Sequence, residues 1–326
     1  MASHVVHAQG VRRFRFVALV FLFLFVYYHE LLSYYVQCAW QAMRASPVVQ
    51  HDSFEPLLAS VAFAGWINMF RVWDKYLPVL HRYRLVSNRV KPDTMVGLDH
   101  GMRALVAYLL PLLVFDAVVK RRHLPDTAPS AAGLVGQVVA SIFVYDFGFF
   151  WVHLALHKWR PLAFLHARHH TKTPMNASEV VRHSLVDGAL QVGTNIVTLN
   201  LLRSHPMARA VHNVVITYML TETHSGYAGD RASHAVSRAA NVHVIGVRSV
   251  RCLSYDMPWM LHNVVPFRLL GGSPRHEAHH RIGTRYYQQF FTYLDNWWLG
   301  GDPGESREPF SKRPPDWDAL YMSKVS

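Results

Sequence analysis

The sequence predicts an all-α integral membrane protein in which about four transmembrane helices carry a helical cap on the cytoplasmic side. Two observations support this fold class. Several apolar runs are long enough to cross a bilayer, which takes about 20 helical residues. Charged residues make up only 17% of the 326 residues, whereas an ordinary soluble domain carries about 25%.

The candidate membrane spans are the four apolar runs at residues 16–36, 57–73, 103–119 and 131–151. The first run follows Arg12, Arg13 and Arg15, so a signal peptide is the alternative to a retained anchor. The run lacks a small-residue cleavage site, which favours the anchor. Two shorter stretches, 188–202 and 207–220, are interrupted by polar residues and are typical of buried or interfacial helices.

Basic residues predict the orientation of the spans. The loop at 74–100 is rich in cations, namely Lys75, Arg82, Arg84, Arg89 and Lys91. The positive-inside rule therefore places this loop and both termini in the cytoplasm. Lys120, Arg121 and Arg122 would then lie on the opposite side, against the same rule.

Net charge and cysteine content exclude several classes of protein. The net charge of +12 suits an anionic membrane surface, and no nucleic-acid-binding module is recognisable. Cys38 and Cys252 are the only cysteines, so a disulfide framework, an iron–sulfur cluster and a thiolate zinc site are not expected. Such sparse cysteine usage is typical of a reducing side of the membrane.

The 22 histidines are the most informative feature, because many of them stand at helical spacing. His153 and His157, at the end of the fourth apolar run, are four residues apart and share one face of a helix. Two further boxes have the pattern HxxHH, and a fourth group begins a His-Ser-Gly-Tyr motif. Their histidines are His166, His169, His170, His224, His276, His279 and His280.

This number of imidazoles predicts two metal ions. A tetrahedral zinc site takes four donors, so eight or more imply two metals of higher coordination number, and redox-active iron fits best. Carboxylates should then hydrogen-bond the outer ring nitrogens of these neutral ligands. The candidates are Asp146, Glu179, Asp187, Glu222, Glu277 and Asp295.

Two other functions remain open at this point. Residues His276 to His280 also match HExxH, in which Glu277 would be the general base of a membrane-embedded zinc protease. The polar flanks and the other histidine boxes argue against that interpretation. A metal-ion transporter is the non-enzymatic alternative, although the boxes lie at or beyond the ends of the apolar runs.

The histidine boxes resemble those of the sterol desaturase/fatty acid hydroxylase superfamily, most closely its C-4 methylsterol oxidase and cholesterol 25-hydroxylase branch. The resemblance covers residues 144–301. It rests on the boxes, on His224-Ser-Gly-Tyr227, on the Met257-Pro-Trp segment and on the Asp295-Asn-Trp-Trp segment. The short distance between the first two boxes favours this superfamily over the acyl-CoA desaturases.

The resemblance implies a membrane-bound diiron oxygenase that uses O2 to oxidise, most simply to hydroxylate, a C–H bond of a sterol or fatty-acyl lipid. Desaturation and methyl oxidation are variants of the same reaction. It implies electrons from a cytochrome b5-type donor with an NAD(P)H reductase, and an endoplasmic reticulum membrane in a eukaryote. The implied iron ligands are His153, His157, His166, His169, His170, His224, His262, His276, His279 and His280, with His183 as a possible further ligand.

The resemblance also suggests a domain division. We expect membrane-anchoring helices at 1–130, a fatty acid hydroxylase-type catalytic domain at 131–301 and a surface tail at 302–326. One segment departs from the relatives, since an insertion at 228–255 separates the HSGY motif from the Pro-Trp segment. Its arginines could form, together with two beside the last box, a landing patch for the acidic donor or bind lipid headgroups. They are Arg231, Arg238, Arg248, Arg251, Arg275 and Arg281.

Overall fold

A computed structural model describes residues 2–77, 80, 109–115, 117–118, 124–170, 177–225 and 257–299. These residues form helices and connecting loops, and none of them forms a β-strand. One isolated antiparallel bridge joins Leu270 and Phe291. The helices are α1 (Ala2–Tyr27), α2 (His29–Ala45), α3 (Pro47–Gln50), α4 (Phe54–Tyr76), α5 (Ala131–Lys158), α6 (Arg160–His170), α7 (Leu185–Leu201), α8 (Pro206–His224), α9 (Leu261–Val264), α10 (Gly272–Ile282) and α11 (Tyr293–Leu299). A 3-10 turn covers Ala177–Val181. The prediction of an all-α fold is confirmed for these residues.

The structure supports fewer membrane spans than the four predicted. Among the described residues, α5 is the one helix long and apolar enough to cross a bilayer, and α1 with α2 would add a second if counted as one bent span. The predicted span at 16–36 is wrong as a continuous helix, because the chain bends by 81° between Tyr27 and His29. The run at 57–73 lies within α4, where Asn68 and Arg71 reduce the apolar character. Most of the run at 103–119 lies outside the described residues.

The bend between α1 and α2 has a tertiary cause. The Trp40 indole N–H donates to the carbonyl oxygen of Pro125 (2.8 Å), and the Ala131 N–H donates to Ser33 Oγ (2.9 Å). Gln41 also donates to the Asp126 carbonyl oxygen (2.7 Å). These polar contacts hold α2 against the start of α5, so apolar patterning alone does not determine the direction of the chain here.

The helices α5, α7 and α8 form the centre of the bundle, and a buried polar link joins them. His212 of α8 lies between Ser141 of α5 and Asn195 of α7, with 2.7 Å from Nδ1 to Ser141 Oγ and 2.7 Å from Nε2 to Asn195 Oδ1. The α4 helix packs along α8, where Arg209 Nε donates to both carboxylate oxygens of Glu55 at 2.9 Å. Apolar side chains fill the space around these links.

Helix α5 also presents an apolar stripe to the outside. Five large side chains at intervals of four residues are exposed: Val135, Val139, Phe143, Phe147 and Trp151. Residues at this spacing share one face of a helix, and the opposite face, with Tyr145 and Phe149, is buried. An exposed apolar stripe of this length is typical of a surface that meets lipid or another protein.

The remaining predictions for the fold have mixed outcomes. The stretches 188–202 and 207–220 are indeed helices, α7 and α8, which begin at the capping residues Ser184 and His205. The expected boundary at 130/131 coincides with the start of α5, where Ser130 Oγ accepts the Gly133 N–H. The tail at 302–326, the insertion at 228–255 and most of the cationic loop at 74–100 lie outside the described residues.

Candidate metal centre

Nine of the predicted ligands form two adjacent groups whose ligand atoms lie within 4.8 Å of one another in each group. The five-histidine group consists of His153, His157, His166, His170 and His279. The four-histidine group consists of His169, His224, His276 and His280. All nine rings lie inside the helical assembly, and only His157 is more than minimally exposed.

Each HxxHH box contributes to both groups. In α6, His166 and His170 are four residues apart and share a face, and both belong to the five-histidine group, whereas His169 belongs to the other. In α10 the division is reversed, since His276 and His280 belong to the four-histidine group and His279 to the five-histidine group. The HxxHH pattern therefore lets a single helix contribute ligands to two neighbouring sites.

The outer nitrogens of several rings are fixed as hydrogen-bond donors. His153 Nδ1 donates to the Tyr287 carbonyl oxygen, His279 Nδ1 to that of Arg285 and His224 Nδ1 to that of Leu220, each at 2.7 Å. A carbonyl oxygen can only accept, so each of these neutral rings carries its proton on Nδ1. Their Nε2 atoms then carry no proton, and each has a lone pair available to bind a metal ion.

These Nε2 atoms converge on each other at distances that suit a shared cation. His166 Nε2 lies 3.2 Å from that of His153 and 3.1 Å from that of His170. In the four-histidine group, His224 Nε2 lies 2.9 Å from His276 Nε2. Metal–nitrogen bonds of about 2.1 Å at right angles give about 3.0 Å between neighbouring nitrogens. The residues present therefore fit a bound metal ion in each group.

Burial keeps these histidines in the form that binds metal. The pKa values of His169, His276 and His280 are held well below that of free histidine, mainly by burial and further by neighbouring histidines. Neutral imidazole is the form that coordinates a metal ion. The rings therefore do not need to lose a proton at neutral pH before they bind.

One predicted carboxylate contacts a histidine of the groups directly. Asp187 Oδ2 accepts from His166 Nδ1 at 2.8 Å and from His183 Nδ1 at 2.8 Å. Burial raises the pKa of Asp187, but the electrostatic interactions and hydrogen bonds with His166 and His183 outweigh this effect and lower that pKa. Asp187 is therefore an ionised group at the edge of the five-histidine group.

Asp146 and Asp295 have a different role from the one predicted. Asp146 accepts from the Phe290 N–H (2.6 Å) and from Gln288 Nε2 (2.7 Å), and not from a ligand histidine. Asp295 accepts from the N–H groups of Tyr287 (2.9 Å) and Gln288 (3.1 Å). Both carboxylates thus hold the backbone segment that presents the Tyr287 carbonyl to His153.

The other predicted acids, Glu222, Glu277 and Glu179, are buried. Glu222 Oε1 accepts the Leu261 N–H at 3.0 Å, two residues before His224. Glu277 is buried on α10 beside His276. Glu179 forms an ion pair with Arg182 at 3.3 Å.

Two predicted ligands lie outside both groups. His262 is in neither group, and its ring packs against Gly272 at the start of α10. His183 also belongs to neither, but its ring stacks on that of His169 with centroids 4.2 Å apart. In this structure His262 packs against the start of α10 and His183 stacks on a member of the four-histidine group, and ligation by either residue stays a prediction.

Sequence reasoning missed Tyr287. Its ring lies against the five-histidine group, with centroid distances of 5.2 Å to His157 and 5.7 Å to His279. Its carbonyl also accepts the His153 hydrogen bond. Backbone carbonyls leave no trace in a residue pattern, so only the position of an aromatic shortly after the last box could have indicated it.

The comparisons with known proteins agree with this geometry. A fatty acid hydroxylase family model matches residues 138–299, which extend from α5 to α11 and include every histidine of both groups. The chain carries a fatty acid hydroxylase domain. The superfamily assignment made from the histidine boxes is thereby confirmed.

The relatives that match this chain carry the names of sterol enzymes. It is 25% identical to a cholesterol 25-hydroxylase of Rattus norvegicus over 273 residues, 80% of each chain. It is 27% identical to a putative methylsterol monooxygenase of Dictyostelium discoideum over 252 residues, 76% of this chain and 82% of the relative. A cholesterol 25-hydroxylase-like protein 2 of Danio rerio is 28% identical over 69% of this chain and 71% of its own. No solved structure matches the chain significantly.

The zinc-protease interpretation fits this geometry poorly. His276 and His280 belong to a group that His169 and His224 complete. A catalytic zinc site keeps three protein ligands and an open position for water, whereas four imidazoles would fill a tetrahedral zinc. The hydroxylase domain accounts for all the boxes, and the protease would use only one.

Proposed function

We propose that this protein is a membrane-bound diiron oxygenase that uses O2 to hydroxylate a C–H bond of a sterol or fatty-acyl lipid. The observation that carries the proposal is the pair of adjacent, buried histidine groups, with five and four members, inside a fatty acid hydroxylase domain. The proposal treats the sterol as the first substrate class to test, because the relatives are named for cholesterol and methylsterols.

The donor set favours iron over the alternatives. Five nitrogen donors exceed the number that a tetrahedral zinc takes, and imidazole suits iron. Bound iron would supply the activation of O2 and the oxidation of an unactivated C–H bond. The two groups lie side by side, because each HxxHH helix contributes to both.

In this proposal the protein holds the metal-binding histidine rings in place, buries them and fixes their orientation. The backbone carbonyls of Tyr287, Arg285 and Leu220 fix three rings by 2.7 Å hydrogen bonds. Such outer contacts set ring orientation and raise the basicity of the ligand nitrogen. Burial of the rings excludes bulk water, which would otherwise compete with a lipid for the site.

The surface of α5 supports a lipid substrate. Its exposed apolar stripe ends at Trp151, two residues before His153 and six residues before His157. Aromatic side chains are enriched where a helix leaves the hydrocarbon region, and Trp298 packs against Trp151 at 5.5 Å. We infer that the metal centre lies just beyond the membrane boundary, within reach of a lipid that remains partly in the bilayer.

Electrons must come from outside the chain in this proposal. No haem, flavin or iron–sulfur motif is recognisable in the sequence, so an external donor is required, and the family resemblance suggests a cytochrome b5-type donor with an NAD(P)H reductase. We propose an endoplasmic reticulum location for a eukaryotic source, with the histidine boxes facing the cytoplasm. Of the basic residues proposed as the donor's landing patch, Arg275 is engaged within the chain by Asn296 (2.6 Å) and by the Tyr286 ring. The insertion arginines lie outside the described residues.

The test is isotopic and uses the purified full-length chain. The protein is loaded with ferrous iron and incubated with a sterol or a fatty-acyl lipid, a cytochrome b5-type donor system and ¹⁸O-labelled O2. We expect about two irons per chain, from the donor count, and a lipid product that carries one ¹⁸O atom. A single tightly held zinc, or no labelled product from either lipid class, would reject the proposal.

A further inference from the structure

One carboxylate oxygen of Asp187 accepts hydrogen bonds from two histidines. The residue is fully buried on α7, and its Oδ2 accepts from His166 Nδ1 and from His183 Nδ1, each at 2.8 Å. His166 is a member of the five-histidine group, and His183 belongs to neither group. The carboxylate therefore links a ring of one group to a ring outside both.

The link continues to the other group through a stacked ring pair. The His183 ring lies on the His169 ring with centroids 4.2 Å apart and planes within 15°. His169 is a member of the four-histidine group, and its Nε2 lies 3.2 Å from that of His224. An unbroken line of contacts thus runs from His166 through Asp187 and His183 to His169.

The arrangement fixes ring orientation at both ends of this line. A carboxylate that accepts from His166 Nδ1 leaves Nε2 directed at the shared site, and the same carboxylate stops rotation of the His183 ring. His183 can then offer a flat face to His169, whose own Nδ1 has no hydrogen-bond partner among the described residues. Stacking on His183 is therefore the contact from outside the group that helps to orient His169, beside the contacts with His224 and His280.

We propose that Asp187 and His183 bridge the two histidine groups, so that divalent-ion binding by the four-histidine group depends on a carboxylate that contacts none of its members. The inference rests on the proposed function only in taking both groups as metal sites. Asp187 and His183 are positioning residues, since neither belongs to a ligand group.

Metal titration separates this bridge from a purely local role. Zn²⁺ alone serves as the probe, because it needs no oxidant or electron donor, and the full-length chain is stripped of metal first. In one background, the changes His153→Ala, His157→Ala and His279→Ala leave only the four-histidine group with enough donors to hold Zn²⁺. In the other, His224→Ala with His276→Ala leaves only the five-histidine group intact.

Asp187→Asn is then introduced into each background. Asp187→Asn keeps an accepting oxygen but removes the carboxylate charge beside both histidines. Mutation of such an outer partner typically lowers metal affinity by roughly 10–100-fold, and we expect a loss of this size in both backgrounds. His183→Ala should have the same effect on the four-histidine background. His183→Phe keeps a stacked ring without the bond to Asp187, so its affinity should lie between those of His183 and His183→Ala.

Glu55→Gln is the control, because it also removes a carboxylate from an internal ion pair, at 2.8 Å from Arg209. We expect no change of Zn²⁺ affinity in that variant. Unchanged affinity of the four-histidine background in both Asp187→Asn and His183→Ala overturns the bridge and leaves the proposed function intact. If Asp187→Asn yields no folded protein, the two His183 variants decide the question. Failure of both parent backgrounds to bind Zn²⁺ would instead reject the metal centre itself.

Discussion

His153 Nδ1 donates a hydrogen bond of 2.7 Å to the carbonyl oxygen of Tyr287, which lies 134 residues further along the chain. The carbonyl is in turn fixed by two buried carboxylates, since Asp295 binds the Tyr287 N–H and Asp146 binds the Phe290 N–H. A candidate metal ligand on α5 is thus oriented by a segment with no regular secondary structure. The position of that segment depends on acids that contact no ligand.

Asp146→Ala tests this dependence. The change leaves the Phe290 N–H and the Gln288 amide without their acceptor inside the protein, and a lost hydrogen bond to a charged group costs about 1.5–3 kcal/mol. We expect destabilisation of about 3–5 kcal/mol in total and weaker metal retention, measured by thermal unfolding and metal analysis. Asp126→Asn, at an exposed ion pair with Arg44, is the control and should change neither. Normal stability with normal metal content would contradict the role given to Asp146.

Gly272→Ala tests how α10 is seated against His262. Gly272 has φ of +57°, and an added Cβ would lie 2.3 Å from His262 Nδ1. Left-handed backbone costs an L-residue about 1–2 kcal/mol, and displacement of the ring adds to this, for a loss of about 2–4 kcal/mol. The free energy of unfolding is the measurement.

Two companion variants make the Gly272 experiment decisive. Gly193 lies in α7 with nothing within 4 Å of its added Cβ, so Gly193→Ala should be neutral or stabilising by up to about 1 kcal/mol. Adding His262→Ala to Gly272→Ala removes the two ring atoms of the clash and leaves the Cβ contact of 2.9 Å, so it should recover only part of the loss. Equal stability of Gly272→Ala and Gly193→Ala would show that the contact with His262 is unimportant.

The histidine groups were largely predictable because their spacing is local. Residues four apart share a helix face, so His153 with His157 and His276 with His280 could be paired from the sequence alone. The assignment of His169 and His279 to opposite groups was not predictable, since it depends on how α6 and α10 face each other. The position of His262 outside both groups was not predictable for the same reason, since its packing against Gly272 is a tertiary contact.

The fold was predictable in class and less so in its membrane spans. Apolar runs indicated helices at the correct places for α4, α5, α7 and α8. The run at 16–36 is bent because two residues of α2 form distant hydrogen bonds. Trp40 bonds to Pro125, 85 residues away in sequence, and Ser33 bonds to Ala131 at the start of α5, 98 residues away. Such distant polar contacts cannot be read from a local window of hydropathy.

His279→Ala tests whether the five-histidine group binds a metal ion. Removal of one donor should lower the metal affinity of the group by more than the roughly 10–100-fold that loss of an outer hydrogen-bond partner typically causes. We therefore expect about one metal ion per chain to be lost, by the donor count. The helical content measured by circular dichroism should stay unchanged, because the side chain lies within an existing helix. His51→Ala, at an exposed histidine outside both groups, is the control. Full metal content in His279→Ala would contradict the assignment of the group.

Glycosylation mapping tests the proposed orientation. The sequence Asn176-Ala-Ser178 is an acceptor for N-linked glycan, and Asn176 itself lies outside the described residues. If the histidine boxes and both termini face the cytoplasm, this site and a tag on either terminus should remain unmodified in microsomes. A tag placed beside Lys120 should be modified if that loop faces the lumen. Glycan on Asn176 would invert the topology.

Glu277→Gln distinguishes an oxygenase from a zinc protease. Glu277 follows His276 in α10 and is buried, in the position that a protease's general base would occupy within HExxH. A protease should lose roughly 10²–10⁴-fold in rate with its general base. An oxygenase should retain both metal ions and lipid turnover within roughly tenfold, the lower end of the effect of an outer partner. Turnover of ¹⁸O2 into lipid and metal content per chain are measured on the same preparation. Complete loss of lipid oxidation with both metals retained would show that Glu277 takes part in the chemical step and that the two histidine groups do not suffice for it.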